Sequence, residues 1–207
     1  MSDTKDRLLD ATIETLRTHG IAGVSARTIA TTAGVNQALV CYHFGSVDQL
    51  LAAACAAATA ARVEVFRERF AQVRTMRELL AVGRELHEAE LRNGDVAVLA
   101  QLLAGAQRDP QLASATAAGL ELWARELETV LGRVLGRTPL ADVADVPGLA
   151  RAVAATFVGI ELYEGADPEA AGRALDALDR LGVILEVFDD LGPVATRALR
   201  TRIRRVT

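Results

Sequence analysis

The chain has 207 residues, 51% of them hydrophobic but only 4% aromatic, with five prolines and a formal net charge of −4. It is long enough for one large domain or two small ones with a substantial core, and an aliphatic, aromatic-poor composition is that of a mostly helical protein. No apolar run of membrane-spanning length and no basic segment leading into a hydrophobic one is expected, which points to a cytoplasmic protein. The two cysteines, Cys41 and Cys55, fit neither a disulfide framework nor a zinc pattern and read as free thiols.

The first helix is expected from about Asp3 to His19, with Leu9, Ile13 and Leu16 on one stripe, acids near its N-terminus that suit the helix dipole, and Gly20 as its C-cap. Ser25 then caps a short helix whose apolar positions Ile29, Ala30 and Ala33 share a face. Gly34 ends it at a tight turn, Val35 plugs the angle, and Asn36 restarts the chain as the N-cap of a second short helix buried through Leu39, Val40 and Phe44. Gln37, Ala38, Cys41 and Tyr42 fall elsewhere on that cylinder. Ser46-Val47-Asp48-Gln49 has capping-box form and opens a third helix with its amides directed outward.

Ser25 to Leu50 thus reads as a helix-turn-helix. In that motif the second helix enters the major groove, where a first-turn glutamine such as Gln37 can grip a base edge bidentately. Arg27, Tyr42 and His43 suit phosphates, as do the amides after Ser46. Short helix pairs joined at a glycine also occur in ordinary bundles, so the pattern alone leaves that alternative open.

The run Ile29-Ala30, Ala33-Gly34-Val35, Tyr42-His43-Phe44 and Leu50-Leu51, with Leu8-Leu9 and Ala11 ahead of Gly20, resembles the N-terminal signature of the tetracycline-repressor-like (TetR-like) transcriptional regulators. The resemblance covers roughly the first fifty residues and implies DNA contacts from Ser25, Arg27, Asn36, Gln37, Ala38, Tyr42, His43 and Ser46. Two positions depart from it. Cys41 stands where the family usually has a phosphate-contacting tyrosine, and Val47 where a lysine commonly opens the next helix. Fewer phosphate contacts imply a shallower salt dependence. Up to Leu50 there are four basic residues against five acidic ones, and between Val24 and Val47 the single formal charge is Arg27. The reading face is therefore free of repulsion, and polar and backbone contacts must carry more of the hold.

An alanine-rich run from Leu51 to Val73 follows, read as one long, stiff helix linking the head to the rest of the chain. Further helices are expected at about Met76–Arg92, Asp95–Arg108 and Gln111–Gly136, then a Pro- and Gly-rich loop from Thr138 to Gly148, then Leu149–Glu164 and Glu169–Asp190. The last two carry Val153, Phe157 and Ile160, and Leu175, Leu178, Leu181 and Leu185. That is more apolar surface than a small domain needs to hide, and it suits a four-helix interface between two copies. Dimerisation of this kind is what the resemblance implies, with a palindromic operator as the partner. The arginine-rich end, Pro193 to Thr207, reads as a solvated helix face.

Within the middle helices, His87, Gln101, Trp123, Phe157 and Glu161 are candidates to orient a small hydrophobic effector. His87 reads equally as a surface residue and Trp123 as core, while Glu161 interrupts an apolar helix and, if buried, needs a partner. The reading is an all-α protein. A helix-turn-helix DNA-binding domain spans residues 1–47 and a helical regulatory and dimerisation domain spans 48–207, with no cofactor, no metal and no membrane partner. It acts as a homodimeric repressor released by an effector. A C-terminal domain that only dimerises or binds a protein partner is the second reading. An enzyme on a helical bundle is the third, disfavoured because His19, His43 and His87 are not grouped and no nucleophile–base spacing is recognisable.

Overall fold

The computed structural model describes residues 2–136, 138, 141 and 144–189. Among them are nine α-helices and no strand: α1 (Ser2–His19), α2 (Ala26–Ala33), α3 (Ala38–Phe44), α4 (Val47–Gln72), α5 (Met76–Asn93), α6 (Asp95–Ala106), α7 (Pro110–Leu135), α8 (Val146–Glu164) and α9 (Pro168–Asp189), with a 3₁₀ turn at Ile21–Gly23 between the first two. The chain is all-α, as its composition implies. The arginine-rich end lies outside the described residues, as does part of the Thr138–Gly148 loop. The loop is also shorter than expected, because Val146–Gly148 already form the first turn of α8. Asp145 caps that turn by accepting from the Gly148 amide at 3.1 Å, and Pro147 sits where a missing amide costs nothing.

In their described residues two compact units emerge, Met1–Glu64 with Glu90–Leu122, and Val65–Ala89 with Trp123–Thr207, so that α4, α5 and α7 each contribute to both. In the first unit, Leu8, Ala11, Ile29, Ala30, Ala33, Val40 and Leu50 form one buried cluster, and Leu16, Leu51, Cys55, Val98, Leu102 and Leu112 a second. The buried side of α1 is therefore Leu8, Ala11, Thr12, Thr15 and Leu16, which keeps Leu16 of the expected stripe. Leu9 and Ile13 pack only at the margins of these clusters. The periodicity of α1 was ambiguous because two threonines sit on the core side. Each satisfies its hydroxyl on a carbonyl of the preceding turn, Thr12 on Leu8 at 2.7 Å and Thr15 on Ala11 at 2.6 Å, so neither leaves an unpaired polar group inside.

In the second unit the core is Phe70, Val73, Leu79, Val82, Leu127, Val130, Leu131, Val134, Leu135 and Ala150. Trp123 lies edge-to-face on Phe66 and Phe70, with ring centroids 6.4 and 6.3 Å away. Arg133 of α7 donates to the carbonyls of Phe70 at 2.5 Å and Val73 at 2.9 Å, satisfying the end of α4 where no intrahelical donor remains. A smaller cluster of Ile160, Ala171 and Leu175 joins α8 to α9.

The expectation about apolar runs needs correction. Both α4 and α8 are long and apolar enough to cross a bilayer by length and composition alone. Alanine raises the hydropathy of α4 without broad apolar bulk, and its second half carries Arg62, Glu64, Arg67, Glu68 and Arg69.

Candidate nucleic-acid interface

The helix pair is built as a glycine-hinged corner. The Ser25 side chain accepts from the Thr28 amide at 3.1 Å and starts α2. At its end Gly34 takes φ 63° and ψ 39°, a left-handed conformation that a side chain would oppose. The Gly34 amide donates to Thr31 and the Val35 amide to Ala30, a Schellman arrangement with Val35 folded onto the head core. Asn36 caps the start of α3 as expected. Its Oδ1 accepts from the Ala38 amide at 2.8 Å, and Gln37, between them, already has helical φ and ψ. Ser46 caps the next helix by accepting from the Gln49 amide at 3.1 Å, and that helix continues unbroken to Gln72.

With Val40 fully buried, the opposite side of α3 faces solvent. Gln37, Ala38, Cys41 and Tyr42 are all exposed, and Tyr42 retains 74% of its surface. Half-buried His43 is edge-on to Tyr42, centroids 4.9 Å apart, and to Phe44 at 6.5 Å. Ser25, Arg27 and Asn36 are exposed and Ser46 is half-buried. Of the four basic residues before Leu50, two are engaged structurally. Arg7 donates to the carbonyls of Ala33 at 2.5 Å and Gly34 at 3.2 Å, closing the end of α2, and Arg17 binds Asp95. Sequence reasoning missed Arg7, because a cap supplied from 26 residues away has no local signature.

The two cysteines differ sharply. Cys41 is exposed on α3, whereas Cys55 is buried, and burial pushes its thiol up to about 11 against a smaller opposing pull from Arg62. A thiol so placed behaves as a small apolar side chain.

Among the effector candidates, the second unit brings three together. His87 is 4% exposed and not the surface residue that its polar neighbours suggested. Its Nδ1 lies 2.7 Å from Oε1 of Glu161, itself 1% exposed, and its Nε2 lies 3.5 Å from Glu164. Phe157 packs edge-on against the imidazole at 6.3 Å. The buried carboxylate thus has the partner it requires. Trp123 belongs instead to the aromatic group with Phe66 and Phe70. Gln101 belongs to the first unit, where its Oε1 accepts from the Ile21 amide at 2.6 Å.

The residues expected to meet a second copy divide as well. Ile160 and Leu175 are buried within the chain, Leu178 packs on them, and Val153 packs on the larger core. Leu181 is 48% exposed, and Leu149, Leu162, Tyr163 and Val183 are further exposed large side chains of α8 and α9. The Leu185 side chain lies outside the described residues.

A capped first helix, a left-handed glycine turn and an exposed second helix on a shared core define a helix-turn-helix DNA-binding protein. Residues 8–54 match the family of bacterial regulatory proteins, tetR family, and the chain shares the fold of solved transcriptional regulators. A proposed transcriptional regulator from Streptomyces coelicolor A3(2) is 28% identical, covering 86% of this chain and 98% of that one at a TM-score of 0.67. A transcriptional regulator from Rhodococcus sp. Rha1 is 27% identical over 91% and 99%, with a TM-score of 0.66. A TetR transcription regulator from Haloarcula marismortui shares the fold at a TM-score of 0.73 over 89% and 98%, with 18% identity. No curated protein matches the chain.

Proposed function

We propose that the protein is a cytoplasmic, homodimeric repressor that binds a palindromic operator and is released by a small hydrophobic effector. The observation that carries the DNA-binding part is the outer side of α3, where Gln37, Ala38 and Tyr42 stand exposed without a formal charge among them. Gln37 reads a base edge, Ser25, Arg27, Tyr42 and His43 hold phosphates or sugars, and the amides beside Ser46 cap another phosphate. Asn36 and Ala38 lie beside Gln37 at the groove. Functionally the reading head is residues 1–47 and the regulatory and dimerising part 48–207, joined by the unbroken α4.

Support for a dimer comes from the exposed apolar residues Leu162, Leu181 and Val183 on α8 and α9. Two heads related by a two-fold axis then read half-sites one helical turn apart, roughly 34–36 Å. His87, Phe157 and Glu161 are the effector-orienting group of this reading. One observation favours the alternative of a C-terminal part that only dimerises or binds a protein partner. His87 and Glu161 already bond to each other, so a guest must displace one of them.

The test is binding of the purified protein to DNA flanking its own gene, at two salt concentrations with random DNA as competitor. Specific, salt-sensitive binding with two chains per site is expected, and it supplies the assay in which small molecules are screened for release. Binding no better than to random DNA at low salt would refute the operator.

A further inference from the structure

The first unit holds a second set of polar contacts that the reading head does not explain. On α6, Asp95, Val98, Leu102 and Gly105 recur at helical spacing, with Gln101 beside them, and this face meets the end of α1 and the 3₁₀ turn. Val98 and Leu102 are buried with Leu16, Leu51 and Cys55. Asp95, 3% exposed, binds Arg17 of α1 at 2.6 Å and Arg62 of α4 at 3.2 Å. Six residues on, Gln101 Oε1 accepts from the Ile21 amide at 2.6 Å, the first residue of the turn that leads into α2. Gly105 lies so close that a Cβ there would stand 2.9 Å from Ile21 and 2.6 Å from Leu112.

Asp95 and Gln101 lie more than 40 residues past the end of the matched segment at residue 54. We propose that Asp95 and Gln101 are positioning residues for DNA reading, a splint along α6 that fixes the corner between α1 and α2. The physical reason is division of labour. The helix pair rides on α1 through a shared core, so whatever fixes α1 and the turn also fixes the reading helix. A head that wavers still touches phosphates one at a time, but two wavering heads lose ordering entropy when both must seat on a palindrome. The splint therefore acts on specific binding and leaves non-specific binding alone.

The inference rests on the proposed DNA-binding role, and its test has one readout that does not need DNA. Gln101→Met keeps the length and removes the acceptor, Gln101→Glu keeps an acceptor oxygen, and Asp95→Asn keeps the shape and removes the charge. Arg17→Gln, at an exposed side chain, repeats the Asp95 test without altering the buried carboxylate itself. In the free protein, amide exchange of residues 20–33 should quicken about tenfold in Gln101→Met, the size of one lost hydrogen bond, and revert toward wild type in Gln101→Glu. On DNA, Gln101→Met, Asp95→Asn and Arg17→Gln should each lose about tenfold on the specific site with random-DNA affinity unchanged. Unchanged exchange in both Gln101→Met and Arg17→Gln, or equal loss on specific and random DNA, would overturn the splint. A wild-type protein that fails to prefer any site, with exchange behaving as expected, would instead overturn the operator reading and leave the splint standing.

Discussion

The buried pair His87–Glu161 invites a quantitative test. His87→Leu leaves a carboxylate that is 1% exposed without its imidazole partner. Removing one member of a buried pair costs about 3–5 kcal/mol, because the group left behind loses that contact in a medium that solvates it poorly. For a chain of this size each kcal/mol lowers the melting midpoint by about 2–4 °C, so a drop of roughly 6–20 °C is expected. Replacing both residues, His87→Leu with Glu161→Leu, exchanges the pair for apolar side chains of similar volume and should restore most of the loss. The assay is thermal unfolding followed by fluorescence of Trp123, the chain's single tryptophan, which packs on Phe66 and Phe70 in the same unit as the pair. A double variant as unstable as His87→Leu alone would show that packing at these positions, and not charge compensation, sets the cost. Charge compensation would then no longer account for the buried histidine.

At the DNA face, Gln37→Ala should relax preference at one base position by about 1–3 kcal/mol, whereas Arg27→Ala should weaken binding to all sequences and flatten the salt dependence. Equal losses on specific and random DNA for both variants would contradict the division of roles. For assembly, Leu181→Glu places a charge on an exposed apolar side chain and should yield monomers in sedimentation, a dimer after this change locating the contact elsewhere. The thiols offer a pH test. Since the folded Cys55 thiol lies near 11 and its unfolded value near 9.0, the folded state holds its proton more tightly. Its contribution to stability is therefore complete below pH 9 and lost as pH rises through 11. A thiol reagent at pH 8 should label exposed Cys41 and reach Cys55 only on unfolding, and rapid modification of both in the folded protein would contradict its burial.

Much of the architecture was legible in the chain itself. Helix ends were marked by Ser25, Gly34, Ser46, Asn93-Gly94 and Asp109-Pro110, because a cap is chosen by the few residues within one turn of it. On α1 the expected Leu16 is buried, but Leu9 and Ile13 yield the core side to Leu8, Thr12 and Thr15, because threonines that bond their own backbone leave no unpaired hydroxyl there. The start of α8 was placed three residues late because Pro147 and Gly148 read as loop, although Asp145 makes them a first turn.

What the sequence determined by itself was thus local: the all-helical class, the order and approximate bounds of its helices, and the corner at Gly34 that carries the reading helix. Tertiary structure decided which partners meet across the chain. Arg7 closes α2 from 26 residues away, Gln101 holds the Ile21 amide across 80, and Glu161 finds His87 across 74. It also turned Ile160 and Leu175 inward and left Leu181 out. Periodicity shows that a helix has an apolar face, but the face alone carries no address. Only the packed arrangement supplies the low-dielectric neighbours that make one distant pairing better than the rest.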